Sequence, residues 1–116
     1  MVEEWKEIPG YNGNYVANSK GQIKSFAVKQ GFVGKYCDPN GIKSQFVGVG
    51  EYSYVTLSKN SQTKRCRVHQ VVAKAFVPNP NNYRYINHKN GIRTDNRVEN
   101  LEWVPTKHHI NKAVIE

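Results

Sequence analysis

Between Asn87 and His109 the chain gathers side chains that can act on a charged substrate. Asn100 follows His88 by twelve positions, and His109 follows Asn100 by nine. Asn87 directly precedes His88, and Arg93 and Arg97 lie in the connector. An imidazole with its ordinary pKa of about 6.5 is basic and available near neutral pH. An amide oxygen and a second imidazole can ligate a divalent cation. Guanidinium groups grip phosphate oxygens through paired hydrogen bonds. Hydrolysis of a phosphodiester needs these three capacities. A water must lose its proton, charge on the phosphate and the leaving oxygen must be stabilised, and the parts must be held in line.

These residues are positioned by short elements. Tyr85-Ile86 and Leu101-Glu102-Trp103-Val104 are apolar pieces flanking a polar connector, the pattern of two strands and a loop. Asn90-Gly91 is a turn dipeptide, since both residues tolerate positive φ. Pro105-Thr106 then suits a helix start. The expected order is strand, loop, strand, helix, with His88 closing the first strand, Asn100 opening the second and His109 on the helix. Upstream, Val68, Val71, Val72, Ala75 and Phe76 form one helical stripe that stops before Pro78. His69 lies off that stripe and reads as a hydrogen-bonded structural histidine. Tyr52–Ser58 and Thr63–Val68 read as an antiparallel hairpin whose second strand carries Lys64, Arg65 and Arg67, a basic face suited to DNA. Tyr15-Val16-Ala17 and Gln22–Phe26 read as another hairpin about the turn Asn18–Gly21, after an irregular lead-in at Trp5–Tyr11. Gln45-Phe46-Val47 reads as a short strand within the otherwise unassigned Gly-rich stretch from Ala27 to Gly50.

The ordered set His88, Asn100 and His109 on strand, strand and helix resembles the ββα-metal fold of HNH endonucleases. The run Arg67–Pro80 is similar to the helix and Pro-rich link that precede the motif in phage and intron homing endonucleases. Trp5–Tyr11 with Tyr15–Ser25 is similar to a small N-terminal module often joined to them. The resemblance implies an α+β fold: short antiparallel β hairpins and one amphipathic helix, followed by a C-terminal ββα-metal motif. It implies a β-rich module at 1–50 and the nuclease domain at 51–116. The implied activity is metal-dependent endonucleolytic cleavage of DNA, nicking one strand per catalytic event; the alternative is an inactive DNA-binding protein that keeps the fold.

In the implied site His88 is the general base, and Asn100 accepts a hydrogen bond from its ring, with Asn96 as the competing candidate. Asn87 and His109 hold one divalent cation. Asn87 stands where the family commonly has Asp, so both ligands are neutral, and Asp95 or Glu99 would have to supply charge. Mg²⁺ or Mn²⁺ is the expected ion, with Ni²⁺ or Zn²⁺ gaining from the imidazole. Neighbours in a strand face opposite ways, so Asn87 and His88 both serve only where the chain bends or turns. Lys64, Arg65, Arg67, Arg93 and Arg97 are the expected DNA contacts.

Bulk properties agree with a nucleic-acid partner. The chain has 116 residues, with 17 Lys and Arg against 9 Asp and Glu, for a net charge of +8. Such an excess favours a polyanion, with DNA ahead of an anionic membrane surface. Mean hydropathy is −0.70, and no apolar run approaches the ~18 residues of a spanning helix. The N-terminus lacks the apolar core of a secretory signal, so a cytoplasmic protein without a membrane segment is the expectation. Cys37 and Cys66 are too far apart for a CxxC site and read as two free thiols. A small β-module binding acidic partners is the remaining, non-nuclease reading. The sequence leaves the oligomeric state open.

Overall fold

The computed structural model describes residues 4–25 and 41–110. Three antiparallel sheets surround one helix. Strand β1 (Trp5–Glu7), β2 (Tyr15–Asn18) and β3 (Ile23–Ser25) form the first sheet, with β2 central. Strand β4 (Phe46–Val47), β5 (Ser53–Lys59) and β6 (Gln62–Arg67) form the second, with β5 central. Helix α1 (Val68–Phe76) follows β6 without a loop, and β7 (Tyr85–His88) pairs with β8 (Leu101–Val104). The α+β class expected from the sequence is what the chain adopts.

Each element follows from local chemistry. The β5–β6 turn is two residues long, and Asn60 and Ser61 both take positive φ, 52° and 66°. That geometry matches the right-handed twist of the paired strands. Along α1 the expected stripe faces the core, with Val68, Val71 and Val72 buried and Ala75 and Phe76 half-buried against it. The helix stops at Val77, whose extended backbone precedes Pro78. The indole Nε1 of Trp103 donates to the Val77 carbonyl at 3.0 Å, tying β8 to the end of α1.

One apolar core joins all of this. Ile8, Tyr15, Ala17 and Ile23 from the N-terminal sheet pack with Val55, Leu57, Val68, Val72, Ile86 and Leu101. The lead-in expected to be irregular contains a strand: Trp5–Glu7 pairs along β2, Trp5 opposite Asn18 and Glu7 opposite Val16. Pairing overrides local propensity here, because the buried β2 has an edge to satisfy. Most of the unassigned stretch, including Cys37, lies outside the described residues, as does the chain beyond Ile110.

The turn between β2 and β3 reaches the C-terminal hairpin. Fully buried Asn18 uses its side-chain oxygen to accept from the Lys20 and Gln22 amides at 3.1 and 2.8 Å, shaping that turn. The Ser19 carbonyl accepts from the Val98 amide at 2.9 Å. Gly21, at φ +89°, lies so close that a Cβ there would stand 2.8 Å from the Asn96 carbonyl oxygen. Gly21→Ala is therefore expected to cost about 2–4 kcal/mol, combining the left-handed backbone with a backbone clash. Urea denaturation measures it; a loss within experimental error would show that the turn and the Asn96 loop do not press on each other.

Candidate active site

The β7–β8 connector is held by amides and one ion-pair cluster. The chain turns immediately after His88, with the Gly91 amide donating to the His88 carbonyl at 2.9 Å and Gly91 at φ +76°. Asn100, buried at the end of a 3₁₀ turn (Val98–Asn100), accepts from the Asn90 amide at 3.0 Å. Its Nδ2 donates to Asn90 Oδ1 at 3.0 Å and to the Asp95 carbonyl at 2.8 Å. Asp95 in turn accepts from Asn90 Nδ2 at 2.7 Å and from Arg97 Nε at 2.8 Å. Arg97 also pairs with Glu99 at 2.9 Å. The Arg97 hydrogen bonds hold the Asp95 carboxyl down at about 2.

His88 is buried, and its Nε2 lies 2.8 Å from Asn96 Oδ1. The amide oxygen accepts, so Nε2 carries the hydrogen and the ring's lone pair lies on Nδ1. Burial pushes the His88 pKa below its ordinary value and Arg93 pushes it further; the Asn96 hydrogen bond and Asp95 pull the other way. The ring is thereby kept neutral and able to accept a proton.

Beneath His88 is an aromatic stack that sequence patterns did not reveal. The ring of buried His69 meets His88 edge-on at 4.9 Å and stacks on Tyr52 at 5.0 Å. Tyr52 lies 6.2 Å from His88. The guanidinium carbons of Arg67 and Arg93 lie 4.7 and 4.9 Å from the Tyr52 ring centre. His69 is buried, but the hydrogen bond expected of it is not found at Nδ1, which has no partner among the described residues. Burial, His88 and Arg67 together push its pKa down to about 3.

The sequence-expected residues separate into groups. His88 stands at the centre. The hydrogen bond to its ring comes from Asn96, the competing candidate, and not from Asn100. The correction has a physical cause: the Asn100 side chain faces the connector, where it closes the loop on Asn90 and Asp95. Asn87 is buried opposite Glu102, to which its Nδ2 donates at 3.4 Å. Its oxygen is then the hard donor suited to a cation. Asp95 and Glu99 are both engaged by Arg97, so the carboxylate that meets Asn87 is Glu102 instead. His109 is exposed on a 3₁₀ turn (Lys107–His109) with Nδ1 2.9 Å from the Thr106 hydroxyl. The longer closing helix expected beyond that turn falls outside the described residues. No cluster of three or more His, Cys, Asp or Glu suited to a metal occurs among the described residues. An amide oxygen and an imidazole are donor types that suit a cation taking its remaining ligands from substrate and water.

The expected DNA contacts also diverge. Arg97 is spent on Asp95 and Glu99, with its own pKa raised by Asp95. Lys64 and Arg65 are exposed on β6, and Arg65 covers the rings of Phe46 and Tyr54 at 5.6 and 5.9 Å. Arg67 and Arg93 gather at Tyr52, beside His88.

Known proteins resemble this chain in sequence and fold. Residues 66–110 match the family model described as HNH endonuclease. Over 114 residues the chain is 34% identical to an uncharacterized HNH endonuclease of Acanthamoeba polyphaga mimivirus, which covers 98% of this chain and 31% of that protein. Over 111 residues it is 29% identical to the DNA endonuclease I-HmuI of Bacillus phage SP01, covering 96% of this chain and 58% of that one. A solved structure of DNA binding and cleavage by the HNH homing endonuclease I-HmuI superposes with a TM-score of 0.70 at 26% identity, over 87% of this chain and 52% of that chain. This chain thus spans under a third of that mimivirus relative and somewhat over half of I-HmuI. Over residues 66–110 it is thus similar to the HNH endonucleases.

The depressed His69 pKa makes stability depend on acid. Unfolded, the ring titrates near 6.5; folded, at about 3. Between those values the unfolded chain binds more protons, so stability falls as pH drops from about 6.5 towards 3, by up to ~1.4 kcal/mol per unit. His69→Phe should flatten that part of the curve in urea titrations at pH 7 and 4.5. Parallel curves for the two proteins would contradict it.

Proposed function

We propose that this chain is a metal-dependent DNA endonuclease that hydrolyses phosphodiester bonds and nicks one strand per catalytic event. The observation that carries the reading is the buried, neutral His88 with Nε2 fixed on Asn96 Oδ1. A base held this way needs no reorganisation before it accepts a proton. Nδ1 of His88 takes the proton of the attacking water. Asn96 fixes the ring's tautomer and, by accepting from Nε2, stabilises the imidazolium that forms. Asn100 closes the connector and keeps Asn96 and His88 in register. Asn87 and His109 hold one divalent cation, Mg²⁺ or Mn²⁺, with Ni²⁺ or Zn²⁺ as alternatives favoured by the imidazole. That cation, when bound, supplies Lewis-acid stabilisation of the leaving oxygen. Two neutral protein ligands make for weak binding in the absence of DNA. Arg67 and Arg93 contact phosphate near the cut, while Lys64 and Arg65 extend the contact along β6. The net charge of +8 supports DNA as partner. We assign the chemistry to residues 51–116 and an accessory role to the β-rich 1–50. Among the described residues no helix is long and apolar enough to cross a membrane.

The test is a supercoiled plasmid incubated with protein and Mg²⁺ or Mn²⁺. Open circles should accumulate, and should vanish with chelator. His88→Ala is expected to slow nicking by about a thousandfold or more with DNA affinity nearly intact. DNA binding without nicking under any divalent ion would instead favour a non-catalytic DNA-binding protein.

A further inference from the structure

Two guanidinium groups meet at one ring, and among the described residues no carboxylate compensates them. Arg67 and Arg93 both lie against Tyr52, yet neither forms an ion pair among the described residues, where the ion pairs are Lys6–Glu4 and those of Arg97. Arg97, a few residues from Arg93, shows the ordinary outcome for an arginine here: it is consumed by two carboxylates. Like charges held close repel, and the arrangement is favoured when an anion joins them. Each guanidinium is also anchored from behind. Arg67 Nε donates to the Tyr54 hydroxyl at 3.4 Å, and Arg93 Nη1 donates to the Gly50 carbonyl. Each guanidinium group keeps further N–H donors for a ligand. Tyr52 itself is fixed by its stack on His69, which touches His88.

We infer that Tyr52 is a positioning residue whose ring holds Arg67 and Arg93 as a two-pronged clamp on the phosphodiester attacked beside His88. The inference rests on the endonuclease reading above. The ring acts through its face, to which flat guanidinium groups are attracted. Its hydroxyl is not required. Arg65 provides an internal contrast. Its ring contacts are Phe46 and Tyr54, outside the Tyr52–His69–His88 stack itself, and so it serves affinity rather than the chemical step.

Steady-state nicking of plasmid by Tyr52→Leu and Tyr52→Phe tests this. Tyr52→Leu should lower kcat about 30-fold or more with KM within about threefold, and Tyr52→Phe should restore kcat to within about threefold of wild type. In an Arg67→Gln/Arg93→Gln background, Tyr52→Leu should have little further effect, as expected for residues acting as one unit. Arg65→Gln should raise KM and leave kcat nearly constant. A Tyr52→Phe loss as deep as that of Tyr52→Leu, or a full additional loss in the double-arginine background, overturns the inference. It would make Tyr52 act through its hydroxyl or through His69. Where Tyr52→Leu fails to fold by circular dichroism, Arg93→Lys carries the kcat test, since lysine keeps the charge and loses the flat stack; an unchanged kcat overturns the clamp.

A wild type that never nicks refutes the endonuclease reading, and the clamp is then judged by binding in chelator. Adding a short DNA duplex should shift the Nε–Hε NMR signals of both Arg67 and Arg93 in the wild type, and both signals should lose their ring-current displacement in Tyr52→Leu. Signals that ignore the duplex would show that the pair holds no phosphate.

Discussion

The site depends on the hydrogen bond between Asn96 and the ring of His88. A buried imidazole can be a base only if it is neutral and correctly oriented, and burial alone secures just the first condition. The Asn96 oxygen at 2.8 Å secures the second. That bond is short-range, but what holds Asn96 comes from far away in the chain. The Ser19 carbonyl fixes the Val98 amide, and Gly21 admits the Asn96 backbone at a distance no side chain would tolerate. The N-terminal sheet thus sets the β7–β8 connector, which gives the small β-rich segment a mechanical reason to accompany the hairpin.

Two uses of arginine coexist within a few residues. Arg97 neutralises Asp95 and Glu99 and stiffens the connector from outside, while Asn100 stiffens it from within. Arg67 and Arg93 are held by a ring and by neutral oxygens, so their charge is preserved for a partner. Surface ion pairs contribute little stability in general, and the value of the Arg97 cluster is geometric. The same net positive charge therefore divides into a part consumed by carboxylates and a part that, among the described residues, is not.

The aromatic stack links these halves. Tyr52, His69 and His88 touch in sequence, and His69 is so thoroughly buried that it stays uncharged well into acid. A neutral ring beside His88 avoids the repulsion that a second imidazolium would bring when His88 accepts its proton. Buried Nδ1 of His69 has no partner among the described residues, a cost the fold carries next to His88.

Much of this was legible in the residues. The stripe Val68–Phe76, the turn at Asn90-Gly91 and the alternation in β5 are local patterns with local causes, and the α+β order follows from them. His88 was legible because the order His88, Asn100 and His109 resembles the HNH pattern, and the structure buries it with its ring against Asn96. Its partner was not legible. Asn96 and Asn100 lie four residues apart in one connector, and which amide turns inward is decided by the loop's closure on Asn90 and by the pressure of Gly21. Strand β1 was missed because its pairing is supplied by a buried neighbour and not by its own composition. The Tyr52–His69–His88 stack joins residues from before β5, from α1 and from β7. Sequence spacing carries no information about such a meeting, because distances across a core are set by how sheets and helix pack, and only the tertiary structure fixes that packing.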